Sequence, residues 1–130
     1  MLSAVGVYSA QTGDAEGALA AFKRIIELQT RALDSSQSQL ATLEAQISRA
    51  GGYAALLPAS ASRRDQLTGA IASQKSQLHV SHRNTALILR DASRLPEALE
   101  AAAKAQALAN DSERPTIDAL IADLQKRANP

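Results

Sequence analysis

The stretch "GDAEGALAAFKRIIEL", residues 13–28, decides the fold. Gly13-Asp14 reads as a turn followed by a helix N-cap. The Asp14 carboxylate accepts from unpaired backbone N–H groups and suits the positive end of the helix dipole. Beyond it Leu19, Phe22 and Ile26 share one face, and Leu33, Leu40, Leu43 and Ile47 continue that face. With Gln29 and Ser36 included, the spacing alternates between 3 and 4 without a slip, which is a heptad seam rather than the period of a strand. One long helix over residues 16–49 is predicted.

"GGYAALLPASAS", residues 51–62, interrupts it. Gly51 suits a left-handed C-cap, Pro58 reads as a barrier to continuation, and Ser60 or Ser62 as the next cap. A second seam follows at Leu67, Ile71, Gln74, Leu78, Ser81, Thr85 and Ile88, predicting a helix over 62–93. Two seams joined by a short loop read as an antiparallel helical hairpin. Folding about residue 57 sets Ile47 against Leu67, Leu43 against Ile71, Leu40 against Gln74 and Gln29 against Thr85.

Outward from the hairpin, residues 2–11 suit a short helix. "SRLPEALEAAAKAQALAND", residues 93–111, suits another, with Ser93 as its cap and Pro96 in its first turn, where a missing N–H costs little. Asn110, Asp111 and Ser112 mark a turn. In "PTIDALIADLQKR", residues 115–127, Ile117, Leu120, Ile121 and Leu124 form one apolar stripe, so this last helix must dock on something. The chain reads as all-α.

Composition agrees. Of the 130 residues 45% are hydrophobic, much of that Ala and Leu, and the aromatics are Tyr8, Phe22 and Tyr53 alone. Such a core suits close helix packing, and the abundant residue types are strong helix formers. There is no Cys, so thiol and disulfide chemistry is excluded. The N-terminus lacks the basic and apolar regions of a signal peptide, and no stretch approaches the roughly 18 apolar residues of a membrane span. A cytoplasmic location is the default expectation. The net charge of +1 hides an uneven distribution: −1 over residues 1–60, +4 over 61–95 and −2 over 96–130.

Small residues recur in two places at matching offsets. Gly13-Asp14, Ala18, Phe22 and Ile25 align with Ser93, Ala98, Ala102 and Ala105. This pattern resembles the tetratricopeptide repeat. The resemblance implies two helix pairs, with Val5-Gly6 and Thr85-Ala86-Leu89 on the first helix of each pair. Tyr8 lies one residue from the family's aromatic position, which Ser9 occupies. The likeness leaves out the residues between the copies, which would project as an arm. It divides the chain into a first pair (1–28), a projecting coiled-coil hairpin (29–82), a second pair (83–110) and a capping helix (115–128). A coiled-coil or plain helical bundle is the competing architecture.

The function implied is non-catalytic: an adaptor, chaperone or scaffold that holds a protein or peptide. The competing class is a structural coiled coil that self-assembles. Val7, Arg83, Leu87 and Arg90 would line the groove that the resemblance implies, with two guanidiniums flanking an apolar spot that suits a carboxylate beside a hydrophobic anchor. Tyr53, Leu56 and Leu57 make an apolar cluster at the arm's tip, which a second copy would cover as a homodimer. No catalytic grouping or phosphate loop is recognisable, so no enzyme and no cofactor are expected. His79 and His82 have metal-ligand spacing without a third ligand nearby, and read as two solvent-facing imidazoles. The basic helix lacks interleaved aromatics, so neither nucleic acid nor membrane is an expected partner.

Overall fold

Unbroken 3–4 spacing and the scarcity of Gly and Pro inside each segment give long helices. The computed structural model describes residues 15–51 and 57–129, and its helices are α1 (Ala15–Arg49), α2 (Pro58–Asp91), α3 (Leu95–Leu108) and α4 (Arg114–Ala128). No strand occurs among the described residues. The chain is all-α. Neither long helix breaks, so the hairpin stands. The short helix at 2–11 and the Asp14 cap lie outside the described residues.

Each helix packs on the next in chain order: α1 on α2, α2 on α3, and α3 on α4. Every α1 seam position from Leu19 to Ile47 is buried or half-buried, and so is every α2 seam position from Leu67 to Ile88. The register differs from expectation by one helical turn. Ser81 Oγ donates to Gln29 Oε1 at 2.6 Å, where the sequence set Thr85 opposite Gln29. Phe22 clusters with Ile88, and Leu43 shares a groove with Leu67 rather than facing Ile71. The cause lies in the turn. Pro58 opens α2 instead of holding it off, because a first-turn residue needs no N–H partner. With α2 starting four residues early, the chain folds back sooner. Ser60 and Ser62 lie inside the helix, and Leu57 takes the N-cap position without a side-chain cap bond.

The helix ends carry the local logic. Gly51 ends α1 at φ +67, as its lack of a Cβ predicts. Between α2 and α3 the same conformation falls on Ser93, at φ +59. Arg94 N–H donates to Leu89 O at 2.8 Å and Ser93 N–H to Arg90 O at 3.0 Å, the paired bonds of a Schellman end. Ser93 therefore closes α2 and does not cap α3, whose N-cap position is Arg94. A left-handed residue with a Cβ is strained, so Ser93→Gly should raise the unfolding free energy by about 0.5–1 kcal/mol. Thermal melts of the two chains check this, and a lower melting temperature for the Gly variant would contradict it.

The core has two connected parts. Ala18, Phe22 and Ile25 of α1 meet Ile88 of α2. Ala86 and Leu89 of α2, Ala98, Ala101, Ala102 and Ala105 of α3, and Ile117, Leu120 and Leu124 of α4 form the larger part. The buried positions of α3 are thus all alanine, with Leu95 and Leu99 half-buried against the same core, which lets helices on both sides approach closely. Antiparallel to α2, α3 reaches as far as His79 with its last turn. Beyond that point α1 and α2 run on as a two-helix arm, about 30 Å long at 1.5 Å per residue.

Candidate functional site

Three features could carry function: the α2–α4 face, a polar junction at the end of α3, and the arm. Arg83, Leu87 and Arg90 lie on α2, spaced as the sequence reading requires. Leu87 is half-buried and packs against the larger core. The Arg90 guanidinium pairs with Asp91 at 3.2 Å and reaches Asp123 of α4 at 3.9 Å. Arg83 lies close enough to Glu113 to stabilise its carboxylate. Both cations on this face thus have acids of the chain near them, and Arg90 reaches from α2 to α4. Val7, Tyr53 and Leu56 lie outside the described residues. Leu57, at the start of α2, is 49% exposed.

The polar junction is built from the end of α3 upward. The last four carbonyls of a helix lack intrahelical partners. Here Ala109 N–H turns to Gln106 O, and Ala105 O is met by His79 Nδ1 at 2.7 Å. A carbonyl can only accept, so His79 carries its proton on Nδ1. His79 is 1% exposed and His82 half-buried, which corrects the expectation of two solvent-facing imidazoles. The physical reason is the third helix: His79, His82, Ala86 and Leu89 recur at spacing 3, 4, 3 on the flank that α3 covers. Among the described residues no group of three metal-ligating side chains forms.

Next to this bond, Asn110 and Glu113 cap each other. Glu113 N–H donates to Asn110 Oδ1 at 2.9 Å, and Asn110 N–H to Glu113 Oε1 at 3.0 Å. This is a capping box, legible in the sequence as Asn-x-x-Glu but read there only as a turn. Ser76 Oγ donates to the second Glu113 oxygen at 2.6 Å, fastening the α3–α4 turn to α2. Partial desolvation works to raise the Glu113 pKa. The bonds from Ser76 and the Asn110 N–H, with His79 and Arg83 nearby, outweigh it and hold the carboxyl below its ordinary value of 4.5.

His82 sits in a groove of about 330 Å³ between α1, α2 and α3, with Lys104 on the rim. Burial lowers its pKa from 6.5, and the charges of Lys104 and His79 lower it further. A depressed folded pKa means the unfolded chain binds the proton more readily. The stability from neutral His82 is therefore present above pH 6.5 and lost as pH falls through the folded value. Glu113 acts in the same direction lower down, its contribution present above pH 4.5 and lost below. Melting temperature should fall in two stages on acidification, and His82→Gln should flatten the upper one. An unchanged upper stage in that variant would assign it elsewhere.

The arm supplies the third feature. A groove of about 400 Å³ opens between its helices, lined by Ser38, Gln39, Thr42, Leu43, Gln46, Arg63 and Leu67. Arg63 Nη2 donates to Gln39 Oε1 at 2.6 Å across it. Leu28 near the arm's base is 42% exposed, and it and Leu57 are the exposed large hydrophobics among the described residues. No helix is long and apolar enough to cross a membrane among those residues. In comparisons with family models, curated proteins and solved structures, nothing matches this chain.

Proposed function

We propose that this chain is a non-catalytic interaction module, an adaptor or scaffold that holds a protein partner, with the hairpin arm as its main contact element. The arm carries the reading. A helix that serves only to close a core has no need to run about 30 Å past the last turn of α3. The arm buries one seam and leaves both flanks to water or a partner. The tetratricopeptide-like reading fits alongside it. Helices that pack in chain order, with Ala98, Ala102 and Ala105 at the close crossing, suit a repeat pair beside the arm. On the α2–α4 face Arg83 and Arg90 have acids of the chain beside them, so the arm is the better candidate for a partner's contact. A cytoplasmic location accompanies this reading.

A second reading, self-assembly, draws on Leu28 and Leu57, two exposed leucines at opposite ends of the arm. Light scattering over a wide concentration range separates the two. The adaptor reading expects a monomeric mass throughout, and a dimeric mass that rises with concentration favours self-assembly. Site-specific photo-cross-linking in the source cell tests the adaptor reading directly. A discrete protein adduct should form from the arm or the α2–α4 face, and its absence from both would sink the proposal.

A further inference from the structure

One line of exposed positions runs along α1 from Arg24 to Arg49, on the side away from α3. Arg24, Leu28 and Arg31 begin it, Gln39 and Thr42 continue it past the arm groove, and Arg49 ends it. These positions, with Ser35 and Gln46 between them, recur at spacing 4, 3, 4, 4, 3, 4, 3, so they share one face over about 37 Å. Each of them is exposed. Every charge on the line is an arginine. The acids of α1 over the same span, Glu27, Asp34 and Glu44, occupy none of its positions. Arg63 adds a further guanidinium from α2 at the groove. Arg24 meets Glu27 at 3.6 Å in an exposed pair, which contributes little in water. Arg31 has no ion pair among the described residues.

From this geometry we infer that the α1 line is a docking surface for an acidic amphipathic helix of a partner protein. The inference rests on the interaction-module reading and names its surface and partner chemistry. Charge complementarity selects the sign: carboxylates at heptad spacing would meet Arg24 and Arg31, with further ones reaching Arg63 and Arg49. The apolar elements select a helix rather than a polyanion. Leu28, 42% exposed, offers an apolar contact, and the groove lined in part by Leu43 and Leu67 offers a place for an apolar side chain. Nucleic acid fits less well. Arg24 and Arg31 stand about 10 Å apart and Arg49 about 27 Å further along, and among the described residues no aromatic stacks between them.

The test uses the full chain and a labelled synthetic helix of about 25 residues, the length of the line. That peptide carries Glu at heptad positions with Leu between, and fluorescence anisotropy reads its binding. The acidic helix should bind with salt-sensitive affinity. Arg31→Glu with Arg49→Glu should weaken it about tenfold or more, and Leu28→Ala should weaken it without changing the salt dependence. All three positions are exposed, so the melting temperature should hold. A Lys-for-Glu version of the peptide should prefer the double variant over the native chain. Equal binding of the acidic and basic peptides by the native chain would overturn the inference. So would a single-stranded oligonucleotide that binds as tightly as the acidic helix. In the cell, a photo-cross-linker at Ser35 should capture a protein. Adducts confined to the α2–α4 face would overturn this surface while leaving the interaction module standing. No adduct from either site would remove the module as well.

Discussion

Phe22→Ala is expected to cost the fold about 3–5 kcal/mol, the range for truncating a buried aromatic. Phe22 is 1% exposed and is the largest fully buried side chain among the described residues. It packs among Ala18, Ile25 and Ile88, with Ala15 and Leu19 at the edge. Two of those neighbours are alanines with nothing to swing into the space. The cavity would stay open, and the cost should sit toward the upper end. Phe22→Leu, which keeps most of the volume, should cost less than half as much. Urea unfolding followed by circular dichroism measures both. A loss below about 1 kcal/mol for the Ala variant would mean the site collapses or that Phe22 does not anchor α1 to α2.

Phe22 also shows how far the sequence could be read. It stood out as the lone aromatic on an apolar face, and its burial followed from the seam alone. So did the two long helices, because a strict 3–4 repeat over many turns leaves few alternatives. Their register did not. Heptad seams look alike after a one-turn slip, and only the turn chemistry at Pro58 separates the alternatives. Reading Pro as a stop rather than as a first-turn residue displaced the pairing by four positions. His79 was misplaced for a related reason. A seam analysis assigns each helix one partner, and α2 has two. The flank that meets α3 carries Ala, His and Leu, a weaker signal than the Leu and Ile of the seam. Ser93 misled because serine is a good N-cap, whereas here the end of α2 needed a left-handed residue before α3 could begin.

The α1 line was legible yet unread for a different cause. Charge summed over residues 1–60 comes to −1, which conceals a face whose charges are all positive. A helix separates signs by angle, not by position along the chain. The Arg24–Arg31 step becomes visible only when residues are sorted by face. The capping box at Asn110 and Glu113 was equally plain in the sequence, and its significance grew once Ser76 was found bonded to the same carboxylate. That bond makes the α3–α4 turn part of the α2 surface.

Leu124→Ala should cost about 2–5 kcal/mol and act first on α4. Ile117 and Leu124 are 0% exposed, and with Leu120 they are the buried residues of α4. They share a core whose buried α3 residues are Ala98, Ala101, Ala102 and Ala105, short side chains that cannot reach into a vacated space. A leucine removed here leaves its volume empty. The remaining attachments of α4 are polar and near the surface: Asp123 with Arg90, Asp118 with Gln106, and Glu113 with Ser76 at the preceding turn. Exposed pairs of this kind add little. Local opening of α4 should therefore precede global unfolding, because its apolar hold on the rest runs through one stripe. Hydrogen exchange should show α4 amides losing protection while α1 and the seam of α2 keep theirs. Ile121→Ala, at a half-buried position beside the stripe, should give a smaller change in the same direction. If Leu124→Ala left α4 protection intact and cost under about 1 kcal/mol, the helix would be held by something other than this stripe.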